Sequence, residues 1–340
     1  MKRVLVERYG VVFALLALFV AAALFVPGFL ALGNLTTILL HVSVNAILAL
    51  GMTFVIVTGG IDLSVGSLVG FAGVLTAAAL TSAGTLAAVG VGGATLLAVM
   101  AGTGTGAAVG AANGALTAYG RIAPFVVTLA TMTIARGAAR LVTGGVPIGF
   151  PAEGDAAFAQ KTAALDALHA IGGGRIPVPG LERGFPMPAL IMLALVAAGA
   201  FVLKRTRFGR YVYAIGGNEE AARLSGVPVQ RVKLGAYAIS GGCAGLAAIL
   251  LVGQLKSGGP DAGQLYELNA IAAAVIGGAS LLGGVGTAWG ALVGALLIGV
   301  LNNGLDLLGV QSFWQEIAKG AIILIAVTFD VWTKRGQRHA

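Results

Sequence analysis

Apolar residues fill this chain in long unbroken blocks, with polar positions confined mostly to the joints between them. A bilayer core needs roughly 17–25 predominantly apolar residues per helical crossing. On that rule the blocks predict helices at 11–30, 35–58, 64–81, 85–118, 124–142, 188–203, 235–254, 269–282, 286–305 and 315–332. The fourth is too long for one straight crossing, and Gly102, Gly104 and Gly106 are expected to break or tilt it. The period-two alternation of a barrel strand is missing. The expected fold class is therefore all-α: a polytopic transmembrane bundle of about ten spans, forming one domain over residues 1–340.

Two apolar stretches also resemble one another. Asn45-Ala46-Ile47 recurs as Asn269-Ala270-Ile271, and the same offset lays Gly59-Gly60 on Gly283-Gly284, Gly66 on Gly290 and Leu68-Val69-Gly70 on Leu292-Val293-Gly294. Gly110-x-x-Asn113-Gly114 is echoed in Gly299-x-x-Asn302-Asn303-Gly304. Paired segments with glycine interruptions point to a transport pathway. The span count makes the two copies face the same way.

Composition narrows the class further. Hydrophobic residues make up 58% of the 340, charged residues 10%, and mean hydropathy is +0.95. Soluble domains carry about 25% charged residues. Between Arg8 and Arg121 the one charged side chain is Asp62, so no water-facing surface can be built there. The net charge of +8 reflects orientation rather than nucleic-acid binding. Lys2, Arg3, Arg8, Arg121, the basic residues from Lys204 to Lys233, and Lys334, Arg335 and Arg338 all fall on one side of the predicted topology. That side, with both termini, is read as cytoplasmic. The 204–233 loop then lies inside and the 143–187 loop outside. One cysteine, Cys243, and three scattered histidines offer no disulfide and no metal site within the chain. No phosphate-binding loop, HExxH or GxSxG is present, and Gly102-x-Gly104-x-x-Ala107 follows no strand. The chain is expected to catalyse nothing and to bind no cofactor.

Asp62 leads the candidate residues, because a carboxylate among apolar helices must be paired, hydrogen-bonded or wet. In Thr58-Gly59-Gly60-Ile61-Asp62-Leu63-Ser64 it can cap the next helix by accepting the N–H of Ser64 or Val65, and it can also serve a hinge or solute path. Asn45, Thr58, Ser64, Asn113, Asn269 and Asn303 join it as polar groups on apolar helices. Arg136 and Arg140, one turn apart near the outer end of their helix, are expected to snorkel to the interface.

The second candidate is a short helix within 204–233. Asn218 caps it, Glu219 and Glu220 fill the first turn, Ala221, Ala222 and Arg223 follow, Gly226 ends it and Pro228 prevents continuation. So well delimited a helix in a cytoplasmic loop predicts a rigid docking element for a partner protein.

The run Gly51-Met52-Thr53-Phe54-Val55-Ile56-Val57-Thr58-Gly59-Gly60-Ile61-Asp62-Leu63-Ser64-Val65-Gly66-Ser67 is similar to the permeases of ribose-type bacterial ABC importers, whose members handle xylose, arabinose, galactosides, furanose sugars and a furanosyl autoinducer. The resemblance continues through Ala123–Leu129, Thr131–Gly137, Thr206–Arg210, Ala214–Asn218, Ala221–Gly226, Val275–Gly278 and Leu282–Thr287, nearly the whole chain in order. Glu220-Ala221-Ala222 followed by Gly226 resembles the EAA–G coupling motif of ABC importers. The resemblance implies a pore subunit of the bacterial inner membrane, paired with an identical or paralogous permease. It implies a cytoplasmic ATP-binding subunit that carries ATP and Mg and docks on 218–226. A periplasmic or lipid-anchored binding protein would deliver a monosaccharide. Residues 143–187, with Gly172-Gly173-Gly174 and with Pro177, Pro179, Pro186 and the adjoining Pro188, depart from the pattern and leave the sugar open. The rival expectation is an ion-coupled secondary transporter, for which Asp62 and Asp306 are the available acids.

Overall fold

The computed structural model describes residues 2–149, 151, 154, 155, 157–321, 324 and 328, with side chains from Gly10 onward. In chain order the elements are α1 (Lys2–Phe25), α2 (Leu32–Val57), α3 (Val65–Thr81), α4 (Ala83–Ala118), α5 (Pro124–Thr143), α6 (Phe158–Gly172), β1 (Arg175–Val178), β2 (Leu181–Pro186), α7 (Met187–Arg205), α8 (Arg207–Gly217), α9 (Glu219–Leu224), α10 (Val229–Leu255), α11 (Tyr266–Ile276) and α12 (Ala288–Leu307). Residues 312–321 are helical as well, and the rest of the predicted 315–332 span falls largely outside the described residues.

Six helices are long and apolar enough to cross a membrane: α2, α4, α5, α7, α10 and α12. α1 and α3 are apolar but shorter over their described side chains. α11 departs furthest from expectation. The predicted 269–282 span is helical only to Ile276, and its 11 residues reach about 16 Å, half of a bilayer core. Before it, 256–265 is almost wholly non-helical, and after it Gly277, Gly278, Gly283 and Gly284 hold a turn in which the last three have positive φ. Glycine is the residue that occupies such backbone without steric cost.

α2 and α10 form the centre. Every residue of α2 from Ala46 to Val57 is buried, as are Ala244, Ala247, Ala248, Leu250 and Val252 of α10. α4 packs along α10 through a stripe of small residues. A Cβ at Gly106 would collide with the Gly241 carbonyl, one at Gly110 with the Tyr237 carbonyl, and one at Gly245 with the Gly102 carbonyl. This close backbone approach is how helices associate where no hydrophobic force drives them together. The expected break at Gly102–Gly106 is therefore wrong. Those glycines serve packing, and α4 departs from helical geometry at Gly90 instead (φ 67°, ψ −178°).

Residues 158–186, expected as part of a loop, form a helix and two strands. Ala164, Leu165 and Leu168 of α6 bury against Leu86, Ala94, Ala98, Ile249 and Val252. β1 and β2 pair as an antiparallel hairpin turned at Pro179-Gly180, the single sheet among the described residues. Their apolar spacing is short and interrupted by glycine and proline, which hides it beside the stronger span signals. α6 and the hairpin mark one end of the bundle; α8 and α9 mark the other.

Candidate functional site

At the break between α2 and α3 the chain buries a carboxylate on a relay of neutral hydrogen bonds. Asp62 is wholly buried. Its Oδ1 accepts from the Ser64 N–H at 3.0 Å and from the Ser64 hydroxyl at 2.6 Å, and its Oδ2 accepts from the Ser240 hydroxyl at 2.9 Å. Asn113 donates its amide to Ser64 Oγ at 3.0 Å, and Thr131 donates to Asn113 Oδ1 at 2.6 Å. The expected bond to the Ser64 N–H is present. Beyond it, one relay ties α3, α4, α5 and α10 to the break. Such networks are stiff when every member is satisfied. Ser240 and Thr131 are not evident from sequence, because a lone hydroxyl in an apolar helix usually bonds its own backbone, as Thr53 and Thr76 do here.

Thr58, at the C-terminal end of α2, donates to the Val55 carbonyl at 2.7 Å. Next to it the two glycine pairs of the repeat meet. Gly284 N–H donates to the Val57 carbonyl at 2.9 Å, and a Cβ at Gly283 would lie against the backbone of Gly59 and Gly216. Tyr213 of α8 donates to the Gly286 carbonyl at 2.6 Å. The glycine turns at 59–60 and 283–284 therefore pack against each other, with α8 laid over both.

The remaining polar candidates lie elsewhere. Asn303 exchanges a reciprocal amide pair with Asn34, at 2.8 and 2.9 Å, which joins α12 to the start of α2 at the far end. Asn45 Oδ1 is buried and has no hydrogen-bond partner among the described residues. Asn269 is partly exposed on α11. Neither belongs to the Asp62 relay.

α9 forms as its residues dictate. Asn218 Oδ1 accepts from the Ala221 N–H at 2.9 Å, Gly226 takes φ +81°, and Glu219 pairs with Arg223 at 3.1 Å. Glu219 also binds Lys233 of α10 at 2.6 Å, and Ala222 is buried. Leu224, by contrast, is 82% exposed. Before it, α8 is an amphipathic helix that buries Gly209, Val212 and Ile215 and turns its arginines outward. Its charged face reads as loop in sequence.

Arg136 and Arg140 do not simply snorkel. Arg136 Nη1 donates to the carbonyls of Pro260 (2.7 Å) and Ala262 (2.9 Å), and Arg140 grips Asp261 through Nε (3.1 Å) and Nη2 (2.7 Å). The guanidinium of Arg136 thus supplies donors to carbonyls that a helix would have satisfied internally.

A family profile described as a branched-chain amino acid transport system permease component matches residues 34–327. The chain is 44% identical to the ribose import permease protein RbsC of Escherichia coli K12, over 97% of its own length and 95% of the relative's. It is 43% identical to the ribose import permease of Bacillus subtilis 168, over 95% and 92% respectively. To the xylose transport system permease protein XylH of Escherichia coli K12 it is 36% identical, again over 95% and 92%. No solved structure matches significantly. By both the profile and these full-length likenesses, this chain belongs to the family of transport-system permease components.

Proposed function

We propose that this chain is the membrane-spanning permease subunit of an ATP-driven importer for a monosaccharide, working beside a second permease, a cytoplasmic ATP-binding subunit and an extracytoplasmic binding protein. The observation that carries the coupling assignment is the seat of α9. It is capped at both ends and tied by Glu219 to Lys233 of α10, and two turns along the same helix Ser240 holds Asp62. A push on the exposed side of α9 is therefore delivered to the break between α2 and α3 without passing through a flexible joint. Asn218, Glu219, Glu220, Ala221, Ala222, Arg223 and Gly226 form the docking element, and ATP and Mg belong to the partner.

Thr58, Asp62, Ser64 and Asn113 form the hinge that responds. Asn45 and Asn269 face the solute path, while Asn303 acts through its pair with Asn34. The chain crosses the inner membrane ten times with both termini and α8–α9 in the cytoplasm, and α6 and the hairpin outside meet the binding protein. A neutral solute needs donors and acceptors rather than a fixed charge, which agrees with hydroxyls and amides dominating the apolar helices.

The test is purification in mild detergent followed by reconstitution. An ATP-binding protein should copurify, and proteoliposomes containing ATP and binding protein should take up D-ribose or D-xylose regardless of a protonophore. Uptake by the chain alone, abolished by the protonophore, would refute the assignment.

A further inference from the structure

The non-helical stretch before α11 lies in a groove of α3 made by glycines one turn apart. A Cβ at Gly66 would collide with the Glu267 carboxylate and the Gly263 carbonyl, and one at Gly70 would crowd the Pro260 and Ala262 carbonyls and the Arg136 guanidinium. Glu267 therefore stands in the first turn of α11, half-buried, with α11 extending about 16 Å from it to the glycine turn. That turn bonds Val57 at the α8–α9 end of the bundle. Glu267 is consequently near half depth.

A carboxylate there is not tolerated against hydrocarbon and must face protein or water. Among the described residues no cation lies within salt-bridge distance of it, so it is not neutralised by direct contact. The positive charge acting on it is that of Arg136, and among the described residues only Nη1 of that guanidinium is hydrogen-bonded. A half-buried carboxylate and a half-buried guanidinium with free Nε and Nη2 groups among the described residues thus stand one helical turn apart along the glycine groove of α3. Together they are close to neutral, so they do not trap an ion, yet each bonds hydroxyl groups strongly.

We propose that Glu267 and Arg136 are the sugar-contacting pair at the midpoint of the path, Glu267 accepting from two sugar hydroxyls while Nε and Nη2 of Arg136 donate to sugar oxygens. The pairing rests on the importer reading above and adds to it the groups that meet the solute. The Arg136 clasp on Pro260 and Ala262 fixes the backbone ahead of α11, so one side chain both holds that backbone and leaves Nε and Nη2 free beside Glu267.

The experiment uses the whole importer in proteoliposomes, with whichever of D-ribose and D-xylose the native protein takes up. Glu267→Gln should lower uptake about ten-fold or more, as expected for losing charge-assisted bonds, while ATP hydrolysis still rises on adding binding protein. Separately, Glu267→Cys should react with a water-soluble maleimide in the assembled complex, and saturating sugar with ATP should slow that reaction. The native Cys243 is buried and gives little background. Normal uptake by Glu267→Gln, or a thiol at 267 that never reacts, overturns the site. If the native importer shows no ATP-dependent sugar uptake, the importer reading fails first, and that result is distinct from either outcome.

Discussion

Asp62 accepts three hydrogen bonds from side chains and backbone and none from a cation. Its two oxygens are held by oriented hydroxyls and one amide N–H, a set that any change in helix position would pull apart. Asp62→Asn keeps the shape but offers one acceptor oxygen where two are used, and its amide would face the Ser240 hydroxyl or the Ser64 group as a donor. A hydrogen bond to a charged group contributes about 1.5–3 kcal/mol. The variant should accordingly lose about that much stability in detergent, read as a lower unfolding temperature, with Ser240→Ala losing less because it removes a single donor. An unchanged unfolding temperature for Asp62→Asn would mean that the relay is not tensioned through this carboxylate. From sequence, Asp62 and its bond to Ser64 are legible because a lone charge in an apolar region has few solutions. Ser240 is not, since its partner lies 178 residues away and nothing local distinguishes it from other serines.

At the scale of elements, α4 and α10 make a sharp contrast within one helix. Gly106 lies against the Gly241 carbonyl, whereas nothing is near the Cβ position of Gly104. Gly106→Ala should force the helices apart and destabilise by about 1–3 kcal/mol. Gly104→Ala should be neutral or stabilising by about 0.5–1 kcal/mol, as removal of glycine from a helix interior generally is. Thermal unfolding of both variants in the same detergent tests the pair, and equal effects would refute the packing assignment. The sequence places both glycines in one block but carries no sign of which side of α4 meets a neighbour, so it reads equally as a break or tilt. Long crossings and the capped α9 were legible for the opposite reason: apolar length and capping residues are local signals. α6, the hairpin and α8 were not, because their amphipathic patterns are weak beside membrane spans and are fixed by what they pack on.

For the whole molecule, the proposed orientation puts α9 and the β1–β2 hairpin on opposite faces of the membrane. Leu224→Cys should react with a membrane-impermeant maleimide only after cells are opened, and Glu182→Cys should react in intact cells. The reverse pattern would invert the topology and remove α9 from reach of any ATP-binding subunit. Order of synthesis is constrained as well by the short α11. Its length cannot hold it across a bilayer unaided, and the carbonyls ahead of it would meet lipid bare. The donor they need, Arg136, is built 124 residues before Pro260, and the glycine groove that receives them belongs to the still earlier α3. The stretch from 256 to 287 therefore enters after α3 and α5, seated in a niche the first half of the chain has already shaped. A nascent permease halted before that point leaves the α3 groove unfilled and the Arg136 guanidinium without its two carbonyl partners.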